Sequence, residues 1–313
     1  MMPQTVRSRC PLSRGAEKLG YKRRVSETGG ASPVAHDPAR VDLLASIWPR
    51  LRPAIDLAAP LGADWFAIST AFERSTDGEI TAHAGVLEIP MVIDGDVRLV
   101  AGIHAVCTAA AHRGRGLARA VIEDAIEHAS ARTQTMLLHA NDAAIYGRYG
   151  FRPIEQFVWC TDIPQRPRTT PMRKLSAARA DDVAAIHAGF VARLPVADAL
   201  GIGDTAPLFV LDEVLACLGF ERLWIADDLG VIVACDLEER VLQIYDVVGQ
   251  RWPPLAELVA RVPGRVDRVE VFFVPERWPE VTWTIRDGRP LDVLMVRGPF
   301  TDAKIAVPPL ARC

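Results

Sequence analysis

Ala111-His112-Arg113-Gly114-Arg115-Gly116-Leu117-Ala118 separates an apolar run that ends at Thr108 from a stretch with helical spacing. Apolar side chains recur at Ala118, Val121, Ile122, Ala125 and Ala129, while Arg119, Glu123, Asp124 and Glu127 fall on other faces. That spacing predicts a one-sided helix over 116–131, packed on a sheet. The order is therefore strand, glycine-rich turn, helix. The first N–H groups of a helix have no intrahelical partner and lie at the positive end of its dipole. Gly114 and Gly116 allow positive φ and a close approach of backbone to a bulky anion. Arg113 and Arg115 add charge, and a pyrophosphate suits such a place. The spacing is neither the Gly-x-Gly-x-x-Gly of dinucleotide folds nor the Gly-Lys-Ser/Thr of P-loops. Alone, the turn is equally compatible with an ordinary strand-to-helix connection.

A second signal lies one strand downstream, in Asn141-Asp142-Ala143-Ala144-Ile145-Tyr146-Gly147-Arg148-Tyr149-Gly150-Phe151. The pattern predicts a short strand over 135–139, a short helix over 143–148 stopped near Gly150, and a final strand over 152–161. Upstream, 41–57 has helical spacing broken by Pro49 and Pro53. Residues 65–70 read as a strand, and 79–93 as a strand ending at the hairpin dipeptide Asp94-Gly95. With a further strand over 97–108, this is an antiparallel meander rather than an alternating parallel pattern.

Three prolines within 163–171 mark a linker, after which the order of elements restarts. Strands are expected over 172–175, 223–226, 231–235, 241–247, 269–274 and 291–296, with helices over 181–194 and 255–262. The second half reads as a diverged copy of the first in element order, not in residue identity. The expected organisation is a basic leader at 1–36, a first domain at 37–162, the linker, a second domain at 172–300 and a tail at 301–313. A strand at Tyr21–Ser26 is the alternative reading within the leader. The fold class is α/β of the α+β kind, each half a mixed, mostly antiparallel sheet flanked by helices.

The 313 residues, half of them hydrophobic, supply two cores of ordinary size. A net charge of -3 argues against a general nucleic-acid binder. No apolar run reaches the ~18 residues of a membrane span, and the leader lacks the apolar core of a secretory signal. Six scattered cysteines, Cys10, Cys107, Cys160, Cys217, Cys235 and Cys313, show neither metal-ligand nor disulfide spacing, which points to reduced thiols in a cytoplasm. No metal site is expected.

Residues 97–160 resemble the GCN5-related N-acetyltransferases (GNAT). The family's phosphate-binding motif, Arg/Gln-x-x-Gly-x-Gly/Ala, is matched by Arg113, Gly116 and Ala118. Its next motif, an Asn and then a Tyr four residues before a Gly-Phe pair, is matched by Asn141, Tyr146 and Gly150-Phe151. The run around Tyr146 is similar to the enhanced-intracellular-survival branch. That branch carries a catalytic domain, a degenerate second one, and a third, sterol-carrier-like domain for which this chain is too short. The resemblance implies two tandem GNAT-like domains and acetyl-CoA as cosubstrate. The acetyl group would pass to a small amine or a peptide amine, with no nucleic-acid or membrane partner, and a homo-oligomer is compatible with it. It also implies roles. Val106, Cys107 and Thr108 would end the strand holding the pantetheine and thioester, and a backbone N–H there would stabilise an oxyanion. Gly114, Arg115, Gly116, Leu117, Ala118 and Arg119 would carry the pyrophosphate, with Arg113. Asn141 and Asp142 would flank the pantetheine arm, and the strands at 100–108 and 135–139 would splay to admit it.

Tyr146 is the expected acid, because a positioned phenol can hydrogen-bond to the leaving sulfur and protonate it. The base is less defined. His104 is one candidate, with His139, Glu88 and His83 as others, each also readable as a structural polar residue. In the resembling branch the terminal carboxylate fills this role, and Cys313 would hold that position here. The second half's corresponding turn, Gly249-Gln250-Arg251-Trp252-Pro253-Pro254, lacks the N–H donors a phosphate cradle needs. It reads as non-catalytic, with Trp278 and Trp283 lining a surface or, by the plainer reading, filling a core. The competing functions are a CoA-binding sensor without turnover and a transferase for another acyl-CoA.

Overall fold

A computed structural model describes residues 38–164, 167–191, 193–288 and 292–309, all within a compact unit spanning His36–Cys313. The basic leader and Cys313 lie outside the described residues. The broken helix is present as α1 (Pro38–Ile47) and α2 (Leu51–Ala58). Pro49 falls in the turn between them, and Pro53 in the first turn of α2, where a missing N–H costs no helical bond. The strand expected at 65–70 instead begins with a helical turn, α3 (Trp65–Ile68), and only then becomes β1 (Ser69–Thr76). Asp64 causes the difference, because its carboxylate caps the turn by accepting from the Phe66 N–H at 2.9 Å. Trp65 and Phe66 are then buried against α1 and α2.

β2 (Glu79–Ile93) and β3 (Asp96–Thr108) form the expected hairpin. Asp94 and Gly95 both take positive φ, 52° and 82°, as a twist-matched two-residue turn requires. α4 (Leu117–Ser130), β4 (Thr135–Ala140), α5 (Ala144–Gly147), β5 (Arg152–Pro153) and β6 (Phe157–Asp162) follow. The second half contributes β7 (Arg173–Lys174), α6 (Ala180–Phe190), β8 (Leu200–Ile202), α7 (Ala206–Cys217), β9 (Leu223–Ala226) and β10 (Val231–Glu238). It continues with β11 (Val241–Val248), α8 (Leu255–Val259), β12 (Arg268–Val271), β13 (Thr284–Asp287) and β14 (Val293–Arg297).

Two seven-stranded mixed sheets result. One runs β1-β2-β3-β4-β14-β5, with β8 beside the end of β2; the other runs β13-β6-β12-β11-β10-β9-β7. Each has one parallel pair, β3–β4 and β11–β12, and the rest are antiparallel. The order β1-β2-β3-β4-β14-β5 is repeated by β9-β10-β11-β12-β6-β13, so the halves are copies in topology.

The copies trade a strand. β6 leaves the first half to lie between β12 and β13, and β14 returns from the second half to lie between β4 and β5. The single strand expected over 152–161 is therefore two strands in different sheets. The sheets also do not divide at the 163–171 linker. Period-two alternation reports which face of a strand is buried, not which sheet receives it. The segment after β14 joins the sheets further. Phe157 donates its N–H to the Ile305 carbonyl at 2.8 Å, and Ile305 and Val307 are buried against the first sheet.

β14 buries Leu294, Met295 and Val296, each worth about 1.5–3 kcal/mol. A fragment of residues 37–162 should therefore show no cooperative thermal transition. Coexpression with a fragment of residues 163–313 should restore one.

Candidate functional site

The site is built where β3 and β4 part. They pair in parallel only through Val100–Thr135, Ala101–Met136 and Gly102–Leu137. Beyond Gly102, β3 continues to Thr108 without a partner on β4, while Leu138, His139 and Ala140 bond to β14 on the other side. The expected splay at the strand ends is present.

β3 carries a bulge in this stretch. His83 pairs with Cys107 and Gly85 with His104, so Ala105 and Val106 together oppose Ala84. Ala105 has φ 50°, a left-handed conformation that costs a non-glycine residue about 1–2 kcal/mol. The extra residue turns Val106 toward the α4 side of the sheet and leaves Ala105 and Cys107 on the side of α1 and α2.

The turn follows at the end of β3. Gly114 and Gly116 have φ 76° and 79°, and a Cβ on either would meet nothing within 4 Å. The glycines thus serve backbone conformation and face open space. Gly116 is the N-cap of α4 and supplies no side chain, so the amides of Leu117, Ala118 and Arg119 are left uncapped. Arg113 turns back so that its Nε donates to the Thr108 carbonyl at 3.3 Å, which ties the turn to the strand end. Arg115 lies against the Ala111 carbonyl and the His112 ring at 3.4 and 3.5 Å. Arg119 pairs with Glu123 at 2.7 Å on the exposed helix surface. Such a pair is worth little, so the Arg119 guanidinium can exchange its partner for an anion.

Past β4, Asn141 and Asp142 are exposed. Asp142 uses one carboxylate oxygen to accept from the Ala144 N–H at 3.0 Å, which starts the short α5. Tyr146 on α5 is half-buried, edge-on to Phe151 at 6.3 Å between ring centroids. It packs with Val106 and Leu117 on one core under α4. Burial raises its phenol above the ordinary value, with Tyr149 adding to the effect. The hydroxyl stays protonated at neutral pH, as a proton donor must.

The other candidates fall elsewhere. His104 is buried, edge-on to Trp65, with Nε2 2.8 Å from the Ser69 hydroxyl. Burial, reinforced by nearby His83, lowers its pKa to about 3, which makes it a poor base. Gly85 is required beside it, since a Cβ there would stand 2.3 Å from the ring. Glu88 is bound by Arg132. Burial pushes the Cys107 thiol up to about 11, against the His83 backbone N–H and the Arg113 charge, so it is no nucleophile at neutral pH. Among the described residues no group of three or more His, Cys, Asp or Glu side chains is placed to hold a metal ion. The bulge at Ala105 had no signal in the sequence, because alanine rarely takes positive φ.

The second half repeats the strand geometry with different residues. Tyr245 is the extra residue where β10 and β11 shift register, and β11 pairs with β12 only from Val241 to Ile244. Next to the bulge, Asp246 holds the buried Arg193 guanidinium at 2.6 Å. Trp252, Phe273 and Trp278 pack together there with centroids 5.2–6.1 Å apart. Trp278 donates to the Pro253 carbonyl at 2.8 Å.

Residues 47–154 match the model of an acetyltransferase (GNAT) domain. Two solved structures share the wider architecture. Eis1 from Mycobacterium abscessus is 16% identical, with 86% of this chain and 72% of that one covered at a TM-score of 0.55. A conserved protein of unknown function from Enterococcus faecalis, described as a probable N-acyltransferase, is 14% identical, with 83% and 69% covered at 0.55. No curated protein matches the chain. Residues 47–154 are thus similar to a GNAT acetyltransferase domain, and the fold of the chain is similar to that of Eis1.

Two outcomes are expected. Gly116→Trp should fold at a cost of about 1–2 kcal/mol, because its side chain enters open space but sits at φ 79°. The same space is needed by a pyrophosphate, so CoA affinity measured by calorimetry should fall at least tenfold from a wild-type stoichiometry of one per chain. His104 is neutral when folded down to pH about 3, but unfolded it titrates near 6.5. The unfolded state therefore binds more protons between those values, and stability falls as pH drops through that window. Urea midpoints at pH 7, 5 and 4 should show this fall, and His104→Asn should flatten it.

Proposed function

We propose that this protein is an acetyl-CoA-dependent N-acetyltransferase that acetylates a primary amine by direct attack, in the first half only. The carrying observation is the opening between β3 and β4 beyond Gly102, with a bulge in its wall and an uncapped helix start at its end. Acetyl-CoA supplies an activated thioester. The amides of Leu117, Ala118 and Arg119, with Arg113 and Arg115, hold its pyrophosphate. The open space over both glycines fits that group. Amides at Val106 or Cys107 take the negative charge that develops on the acyl oxygen, and Thr108 and Asn141 border the pantetheine. Tyr146 gives its proton to the departing sulfur, and the proton lost by the attacking amine leaves through solvent, from which the tyrosinate is reprotonated.

Direct attack is favoured because Cys107, the cysteine on the β3 wall among the described residues, is held as a thiol. The second half serves as scaffold, since two prolines and Trp252 follow β11 where the first half has its glycine turn. The four described cysteines, Cys107, Cys160, Cys217 and Cys235, are unpaired, which suits a reducing cytoplasm. No helix among the described residues is long and apolar enough to cross a membrane.

A panel of amines with acetyl-CoA, read by free-thiol release, tests the reading. Tyr146→Phe should lower kcat by about 10²-fold or more, within the range of general-acid contributions, with CoA affinity unchanged. Cys107→Ala should stay within about threefold of wild type. Tight CoA binding with no thiol release across the panel would favour a sensor instead, and a fully active Tyr146→Phe would remove the acid.

A further inference from the structure

We infer that His83 is a positioning residue of this centre: its imidazole fixes the β3 bulge that sets the Val106 and Cys107 amides. The inference rests on the acyl-transfer reading above and adds a residue to it.

His83 lies on β2 between Glu73 of β1 and Cys107 of β3, and it is fully buried. Its Nδ1 is 2.9 Å from the carbonyl oxygen of Ala105, the residue with φ 50° in the bulge. A carbonyl only accepts, so Nδ1 carries the proton and Nε2 is bare. Nε2 is buried without a hydrogen-bond partner among the described residues. The charged and titratable groups around the ring are Glu73 on β1, Arg40 on α1, and His104 and Cys107 on β3. Arg40 and Glu73 neutralise one another through a two-pronged pair at 2.5 and 3.2 Å. Burial lowers the pKa, and a second proton would place an unpaired donor in the interior. The ring is held neutral in one tautomer.

A phenyl ring would fill this space without a stranded nitrogen. What imidazole offers in exchange is the donor to Ala105. Without that donor the half-buried carbonyl of a strained residue would lose its bond to the ring, and the bulge would lose that tie to β2. Val106 and Cys107 are the next two residues along the chain, so a shift of the bulge moves their amides directly. Misplacement of a reacting geometry by ~1 Å costs about 10²-fold in rate.

The test compares His83→Phe, which removes the donor, with His83→Asn, whose amide nitrogen reaches the Nδ1 position. His83→Phe should lower kcat about 10²-fold with KM for acetyl-CoA within about threefold. Amide hydrogen exchange over residues 104–108 should rise at least tenfold. His83→Asn should keep kcat within about fivefold and leave exchange near wild type. Wild-type kcat and exchange in His83→Phe would overturn the inference, as would His83→Asn failing as badly as His83→Phe. If the wild type releases no thiol with any amine, the proposed function fails. The exchange comparison then still decides whether His83 holds the bulge.

Discussion

Everything in the site depends on β4 having β14 on its far side. A strand can leave one neighbour at modest cost only if its remaining backbone groups are paired elsewhere. Leu138, His139 and Ala140 turn away from β3 and remain bonded to β14. The opening is therefore a property of three strands. β3 is held in turn from its other side by β2 as far as Thr108, through the bulge and past it. The two walls are rigid because each is laddered to an outer neighbour.

The two halves show what separates a site from its relic. Both have a bulge on the third strand and a parallel pair that ends early. In one, glycine and an uncapped helix follow the strand. In the other, two prolines and Trp252 follow, and the Arg193–Asp246 pair is sealed inside. Buried ion pairs of this kind are costly to break and add little when made. Here that pair and the packed rings of Trp252, Phe273 and Trp278 belong to the second half's buried interior. Trp278, for which the sequence leaves a surface and a core both open, is a core residue.

Much of this was legible in the residues. The glycine turn, the α4 stripe, the Asp94-Gly95 hairpin and the broken first helix each have a local cause that the sequence states directly. α7 was missed because it is buried nearly all round, with even Glu213 inside and paired with Arg222, so no apolar stripe marks it. β8 and β13 are too short for alternation to register, and β13 is exposed along its length. The bulge at Ala105 and the strand exchange depend on partners far along the chain, which no local pattern encodes. His83 was visible as a histidine in a strand, and its tie to Ala105 was not.

The exchange also governs how the chain is made. Ala140 pairs with Val293 and Met136 with Arg297, separations of 153 and 161 residues. At about 5–20 residues per second, translation needs on the order of 10–30 s to deliver β14 after β4. Throughout that interval the nascent first sheet exposes an unpaired apolar edge at Met136, Leu137 and Leu138. Exposed edges of this kind are aggregation-prone, and the three-strand arrangement that walls the opening is complete only once β14 has been synthesised.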